Sequence, residues 1–155
     1  SEYYAAVAEA RIRQGWQVWL FGSKNDHAVA EQIRGRLIPG LREESTNLCG
    51  DTSLAQAIDL LSCADAVVSN DSGLMHVAAA LNRPLVAVYG STSPGFTPPL
   101  ADQVEMVRLG LDCSPCFDRT CRFGHYNCLR DLAPAQVDAA LDRLVGDLLP
   151  DPQDS

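Results

Sequence analysis

The chain reads as an α/β fold, a Rossmann-like parallel sheet with helices on both faces, and three observations predict it. Short apolar runs rich in β-branched residues alternate with segments of helical periodicity, the order produced when parallel strands are joined by crossover helices. Each such run ends in a polar turn: Gly22-Ser23, Gly50-Asp51-Thr52, Ser69 to Gly73, and Gly90 to Gly95. The 155 residues, 46% of them apolar, are enough for one ordinary domain with its own core.

The first segment is a helix whose apolar face is Tyr4, Val7, Ala8 and Ile12, ended by Gly15. Gln17 to Phe21 follows as a strand, and Asn25 to Leu37 as a helix with Val29, Ile33 and Leu37 inward. A loop holding Pro39 and Gly40 leads to a short strand, Asn47-Leu48-Cys49. Ser53 then caps a helix carrying Leu54, Ala57, Ile58 and Leu61. Ala66-Val67-Val68 has the composition of a strand buried on both faces, and Leu74, Val77, Ala78 and Leu81 mark the packed face of the helix after it. Leu85 to Tyr89 is the next strand, expected beside its predecessor because consecutive strands usually pair. The last helix begins with Pro134 in its first turn and runs to about Leu148, with Val137, Ala140, Leu141, Leu144 and Val145 as core face. One domain over 1–148 is expected, with 149–155 as a disordered, proline-broken tail.

Twenty acidic against twelve basic residues leave a net charge of −8, which argues against a nucleic-acid groove or a polybasic membrane patch. No apolar stretch approaches the roughly 20 residues of a membrane span, and the start lacks a basic-then-apolar signal pattern. The chain opens on Ser1, already inside a helix, which predicts a piece of something longer.

The segment Ser69 to Ala79 places a polar loop between a strand and a helix start, a junction suited to an anion. Asp71 or Ser72 is the expected N-cap. Gly73 has no Cβ to obstruct a phosphate, and His76, four residues after Ser72, lies on the same stripe of the helix. Taken singly, these residues read as ordinary capping chemistry. Together, at the carboxyl end of a parallel strand, they mark a ligand site. The turn Gly90 to Gly95, with Ser91 and Thr92, is expected beside it.

Residues 69–81, with Arg83-Pro84-Leu85-Val86-Ala87-Val88-Tyr89-Gly90 and Ser93 to Leu100, resemble the carboxyl-terminal half of the ADP-heptose:lipopolysaccharide heptosyltransferases of glycosyltransferase family 9. The resemblance spans most of 1–148 and is densest over 47–100. It implies a GT-B fold, of which this chain is the donor-binding domain, with the acceptor domain absent. It implies cytoplasmic enzymes working at the inner face of the inner membrane, with ADP-heptose as donor, an inner-core lipopolysaccharide acceptor and no cofactor for transfer. Asp71 would then contact the heptose, Ser72 and Gly73 the diphosphate, and His76 the phosphate end. Asn47 stands where a relative carries an acidic residue near the donor, and Ser91 and Thr92 belong to the loop closing over it. The catalytic base and a donor-contacting Lys of the family lie outside this chain, so no catalytic residue is assigned here. A GT-B nucleotide-sugar epimerase, which shares the Asp-Ser-Gly turn, is the competing enzyme reading.

Four of six cysteines fall in the loop 112–129: Cys113, Cys116, Cys121 and Cys128. Their types and short spacings suit a structural zinc, with His125 as an alternative ligand. Two disulfides and four independent thiols are the other readings. A zinc-stapled interaction module is the non-enzymatic alternative for the whole chain. Cys49 and Cys63, amid apolar neighbours, read as core residues.

Overall fold

A computed structural model describes residues 1–146, so the expected end of the last helix at Leu148 and the tail 149–155 lie outside the described residues. Contacts divide the chain into two compact units, Ser1–Asp59 and the residues from Leu60 on.

In the first unit, α1 (Glu2–Ile12) precedes β1 (Val18–Leu20), a 3₁₀ turn (Lys24–Asp26), α2 (His27–Arg36), the short α3 (Pro39–Arg42) and β2 (Ser45–Asn47). The strands pair in parallel, Val18 with Ser45 and Leu20 with Asn47. Ala8, Ile12 and Leu37 form the core, with Val18 and Leu41 against it. Three expectations change here. Val29 is exposed, and Ala30 and Ile33 are the buried residues of α2. Ile33 and Leu37 are buried as expected, so only the first turn of the expected face differs. The loop at Pro39 is helical instead, with Pro39 at the first turn, where its missing N–H costs nothing. The second strand lies earlier than Asn47 to Cys49, although Leu48 N donates to Leu20 O at 2.9 Å and Gly50 N to Gly22 O at 3.1 Å, which extends the pairing to the turn.

Helix α4 (Leu54–Ser62) runs across the boundary between the units. Ser53 caps it reciprocally: Gln56 N donates to Ser53 Oγ, and Ser53 N donates to Gln56 Oε1. Ala57 and Leu61 are buried as expected, whereas Leu54 is 67% exposed.

The second unit holds β3 (Val67–Asn70), α5 (Gly73–Ala80), β4 (Leu85–Val88), β5 (Val104–Val107), α6 (Asn127–Arg130) and α7 (Pro134–Val145). Its sheet is parallel in the order β3-β4-β5. β4, paired on both sides, is buried throughout, while Val67 and Val68 of β3 are half-buried because that strand has a single partner in its sheet. Helix α5 turns Met75, Ala78 and Ala79 inward; Ala78 is buried as expected, while Leu74, Val77 and Leu81 are half-buried. Met75, unbranched, reaches the buried Tyr89 at the end of β4. These residues form the core with Leu85 and Ala87. Helix α7 buries Val137, Ala140, Leu141 and Val145 as expected. Cys49 is buried, but Cys63 at the end of α4 is exposed, so only the first is a core cysteine.

Candidate functional site

The junction of β3 and α5 is built as its sequence dictates. Ser72 has extended backbone (φ −155°, ψ 168°), leaves the helix there, and turns its hydroxyl back to accept from Met75 N. Ser69 Oγ donates to Asn70 O at 2.8 Å, so Ser72 is the donor in the 3.1 Å contact between the two hydroxyls. The first backbone N–H groups of α5 have no partner within the helix and carry the positive end of its dipole. A Cβ built on Gly73 would meet nothing within 4 Å, so the approach to these groups is open. His76 is exposed on α5.

Asp71 is held by a residue that sequence reasoning passed over. Thr97 Oγ1 donates to Asp71 Oδ2 at 3.1 Å. The backbone of Thr97 is fixed in turn by Tyr89, whose hydroxyl donates to Thr97 O at 2.9 Å. Tyr89 is 1% exposed. Burial, and after it the charge of Asp71, pushes its phenol above the ordinary value, so it remains a neutral donor. The turn after β4 therefore does reach the Asp71 loop, as expected from the pairing of β3 with β4, but through Thr97. Ser91 and Thr92 lie nearer the strand in that turn. Ser91 faces the cysteine loop with its carbonyl, which accepts from Cys116 N at 3.0 Å and Phe117 N at 2.7 Å.

Asn47 belongs to the first unit. Its amide donates to Glu31 Oε1 at 2.8 Å and to His27 O at 3.2 Å, and its Oδ1 accepts from Cys49 N. The Asn47 amide, and next Arg34, hold the Glu31 carboxyl below its usual range. Asn47 thus orients a carboxylate that the sequence places on a different element.

Cys113, Cys116, Cys121 and Cys128 are half-buried thiols lining one pocket together with Ser91, His125 and Leu129. Among the described residues no group of three or more His, Cys, Asp or Glu side chains is arranged to hold a metal ion. The backbone N–H of Tyr126 is the largest influence on Cys121 and holds its thiol below the ordinary value; N–H groups of Phe123, Gly124 and His125 act in the same direction. Burial is the main cause that raises Cys128.

A family model described as glycosyltransferase family 9 (heptosyltransferase) matches residues 1–127. The chain is 55% identical over 107 residues to lipooligosaccharide heptosyltransferase 2 of Haemophilus influenzae, covering 69% of this chain and 31% of that protein. It is 43% identical over 143 residues to lipopolysaccharide heptosyltransferase 2 of Escherichia coli, covering 92% and 41%. The solved structure of E. coli ADP-heptose lps heptosyltransferase II superposes with a TM-score of 0.83 at 42% identity over 94% of this chain and 41% of that one. A family 9 glycosyltransferase from Veillonella parvula has the same fold at a TM-score of 0.80 and 23% identity, covering 94% and 41%. The chain spans less than half the length of the curated relatives it matches.

Proposed function

We propose, from the premise that this chain belongs to glycosyltransferase family 9, that it is the donor-binding part of an inverting heptosyltransferase. The enzyme would move heptose from ADP-heptose to the inner core of lipopolysaccharide at the cytoplasmic face of the inner membrane. The single observation that carries this reading is the Ser72-capped start of α5 beside an aspartate held by Thr97. A diphosphate carries negative charge and many acceptors, and the N–H groups of Gly73 and Leu74 offer donors aligned with the helix dipole. Asp71, an acceptor at the same mouth, is suited to a sugar hydroxyl. His76, one turn on, reaches a phosphate oxygen.

Such a transfer needs a base that deprotonates the acceptor hydroxyl and groups that stabilise the departing ADP. In this reading the α5 terminus serves the second need, and the base is supplied from outside the chain. No described helix is long and apolar enough to cross a membrane.

Calorimetric titration of ADP-heptose, with Asp71→Ala as control, tests the proposal. Saturable binding that weakens at least about tenfold in the variant, a loss of about 1.4 kcal/mol, is expected. Equal affinity for a UDP-sugar would refute the ADP-heptose reading and favour an epimerase. Acceptor-dependent release of ADP by this chain alone would refute the external base.

A further inference from the structure

None of the donor-site residues lies in the loop 112–129, yet its four cysteines share one place. Cys113, Cys116, Cys121 and Cys128 line a single pocket with Arg119 and Arg122 at its wall. None is tied up in a disulfide. Around Cys121 the chain folds into a tight knuckle, with Gly124 at φ +71° and Tyr126 at φ +55°. Gly124 N closes that turn by donating to Cys121 O at 3.0 Å.

The imidazole of His125 is committed elsewhere. Its Nδ1 accepts from Asn127 N at 3.0 Å, and its ring stacks on Phe123 with centroids 5.6 Å apart. A neutral ring that accepts at Nδ1 carries its proton at Nε2 and has no second lone pair to give. Four sulfurs, and not three with an imidazole, therefore make the soft donor set.

We propose that Cys113, Cys116, Cys121 and Cys128 bind one Zn²⁺ as four thiolates, and that the ion pins this loop to the turn after β4. Tetrahedral zinc accepts four sulfurs at about 2.3 Å. Each coordinating thiol releases its proton to solvent, so the closed site carries two net negative charges. Arg119, Arg122 and Asp118 stand at the pocket, and since Arg122 is paired to Asp118 at 2.8 Å, one net positive charge faces them there. The ligand-type side chains do not already stand in metal-site geometry, so the half-buried thiols must turn inward, which couples binding to the ordering of the loop. The sequence favours such a staple: the segment between β5 and α7 holds one regular element, the four-residue α6. Its Phe117, Phe123 and Leu129 remain exposed, so it has little apolar burial of its own.

The test is metal analysis of the protein purified without chelator, joined to thiol counting. About one zinc per chain is expected, with the four loop thiols protected from a thiol reagent until a strong chelator is added. Cys121→Ser and Cys128→Ser should each lose the metal, while Cys63→Ser, exposed and outside the pocket, should keep it. Should the serine variants fail to fold, cobalt substitution of the unaltered protein decides: thiolate-to-cobalt charge-transfer bands with tetrahedral d–d intensity are expected. Less than about 0.1 zinc per chain with four freely reactive thiols, disulfides between these cysteines in the native protein, or an iron–sulfur chromophore would each overturn the proposal.

Discussion

Tyr89→Phe separates the packing role of this side chain from its role in holding the Asp71 loop. The ring stays in a pocket that leaves Tyr89 1% exposed, and only the hydroxyl is removed. That hydroxyl donates to Thr97 O at 2.9 Å, and Thr97 Oγ1 donates to Asp71 Oδ2 at 3.1 Å. A buried donor lost from a carbonyl costs about 1–3 kcal/mol. Thr97 is itself exposed, so water can take over at its carbonyl and the cost falls to the low end, about 1 kcal/mol. If the same bond holds Asp71 ready for the sugar, donor affinity falls by a similar amount, which is about fivefold in Kd. Urea unfolding measures the first quantity and calorimetric titration with ADP-heptose the second. In a double-mutant cycle with Asp71→Asn, the two substitutions should couple by at least about 0.5 kcal/mol, because they act on one chain of hydrogen bonds. Additive effects on affinity, or destabilisation with unchanged affinity, would refute the claim that Tyr89 positions Asp71 through Thr97.

Three further perturbations test other parts of the fold. In Gly90→Ala the new Cβ would stand 2.7 Å from Leu129 Cγ. Leu129 is 40% exposed and can swing outward, so a loss of about 1 kcal/mol is expected, recovered by adding Leu129→Ala and read from thermal midpoints. Ser53→Ala removes the hydroxyl half of a reciprocal cap on α4 and should cost about 1 kcal/mol in urea unfolding, with Ser53→Asp losing less. Burial raises the Tyr4 phenol from 10.0 to about 12. Because the folded value is the higher one, the contribution is complete below pH 10. It is lost between about pH 10 and 12 as the unfolded chain alone ionises, up to about 2–3 kcal/mol. Stability measured across that window should flatten in Tyr4→Phe; an unchanged slope would assign the loss to other groups.

The elements that were readable in the sequence are those fixed by neighbours along the chain. Ser72 caps α5 because its hydroxyl meets an N–H three residues on, and Leu85 to Val88 read as a buried strand because all four are apolar. The misplaced faces arise where the phase depends on something distant. Met75 lies inward and Leu74 does not because the sheet stands on the Met75 side, a fact that helical periodicity cannot supply. β5 is not legible locally because Val104-Glu105-Met106-Val107 carries a charge at its second position, and only its pairing with β4 makes it a strand. Glu105 meets Arg143 of α7 at 2.9 Å, 38 residues away. Asp71, Ser72 and Gly73 could be named as a site from their spacing. Thr97 could not, since its bond to Asp71 spans 26 residues and depends on where Tyr89 sends the chain.

The turn after β4 is where the two readings of this chain meet mechanically. At its far end Thr97 holds Asp71. At its near end Gly90 O accepts from Ser114 Oγ, Ser91 O accepts from the N–H groups of Cys116 and Phe117, and Leu129 packs against Gly90. Phe96, one residue before Thr97, meets Phe117 of the cysteine loop edge to face at 5.1 Å. Phe117 sits at φ +57°, a conformation that costs a bulky residue energy and persists only when its surroundings impose it. Two backbone hydrogen bonds to one carbonyl supply that constraint. A cysteine loop that loosens would relax Phe117, free Phe96 and let the segment carrying Thr97 drift from Asp71. If the loop binds zinc as proposed, removing the ion with a chelator should weaken sugar-nucleotide affinity in calorimetric titration.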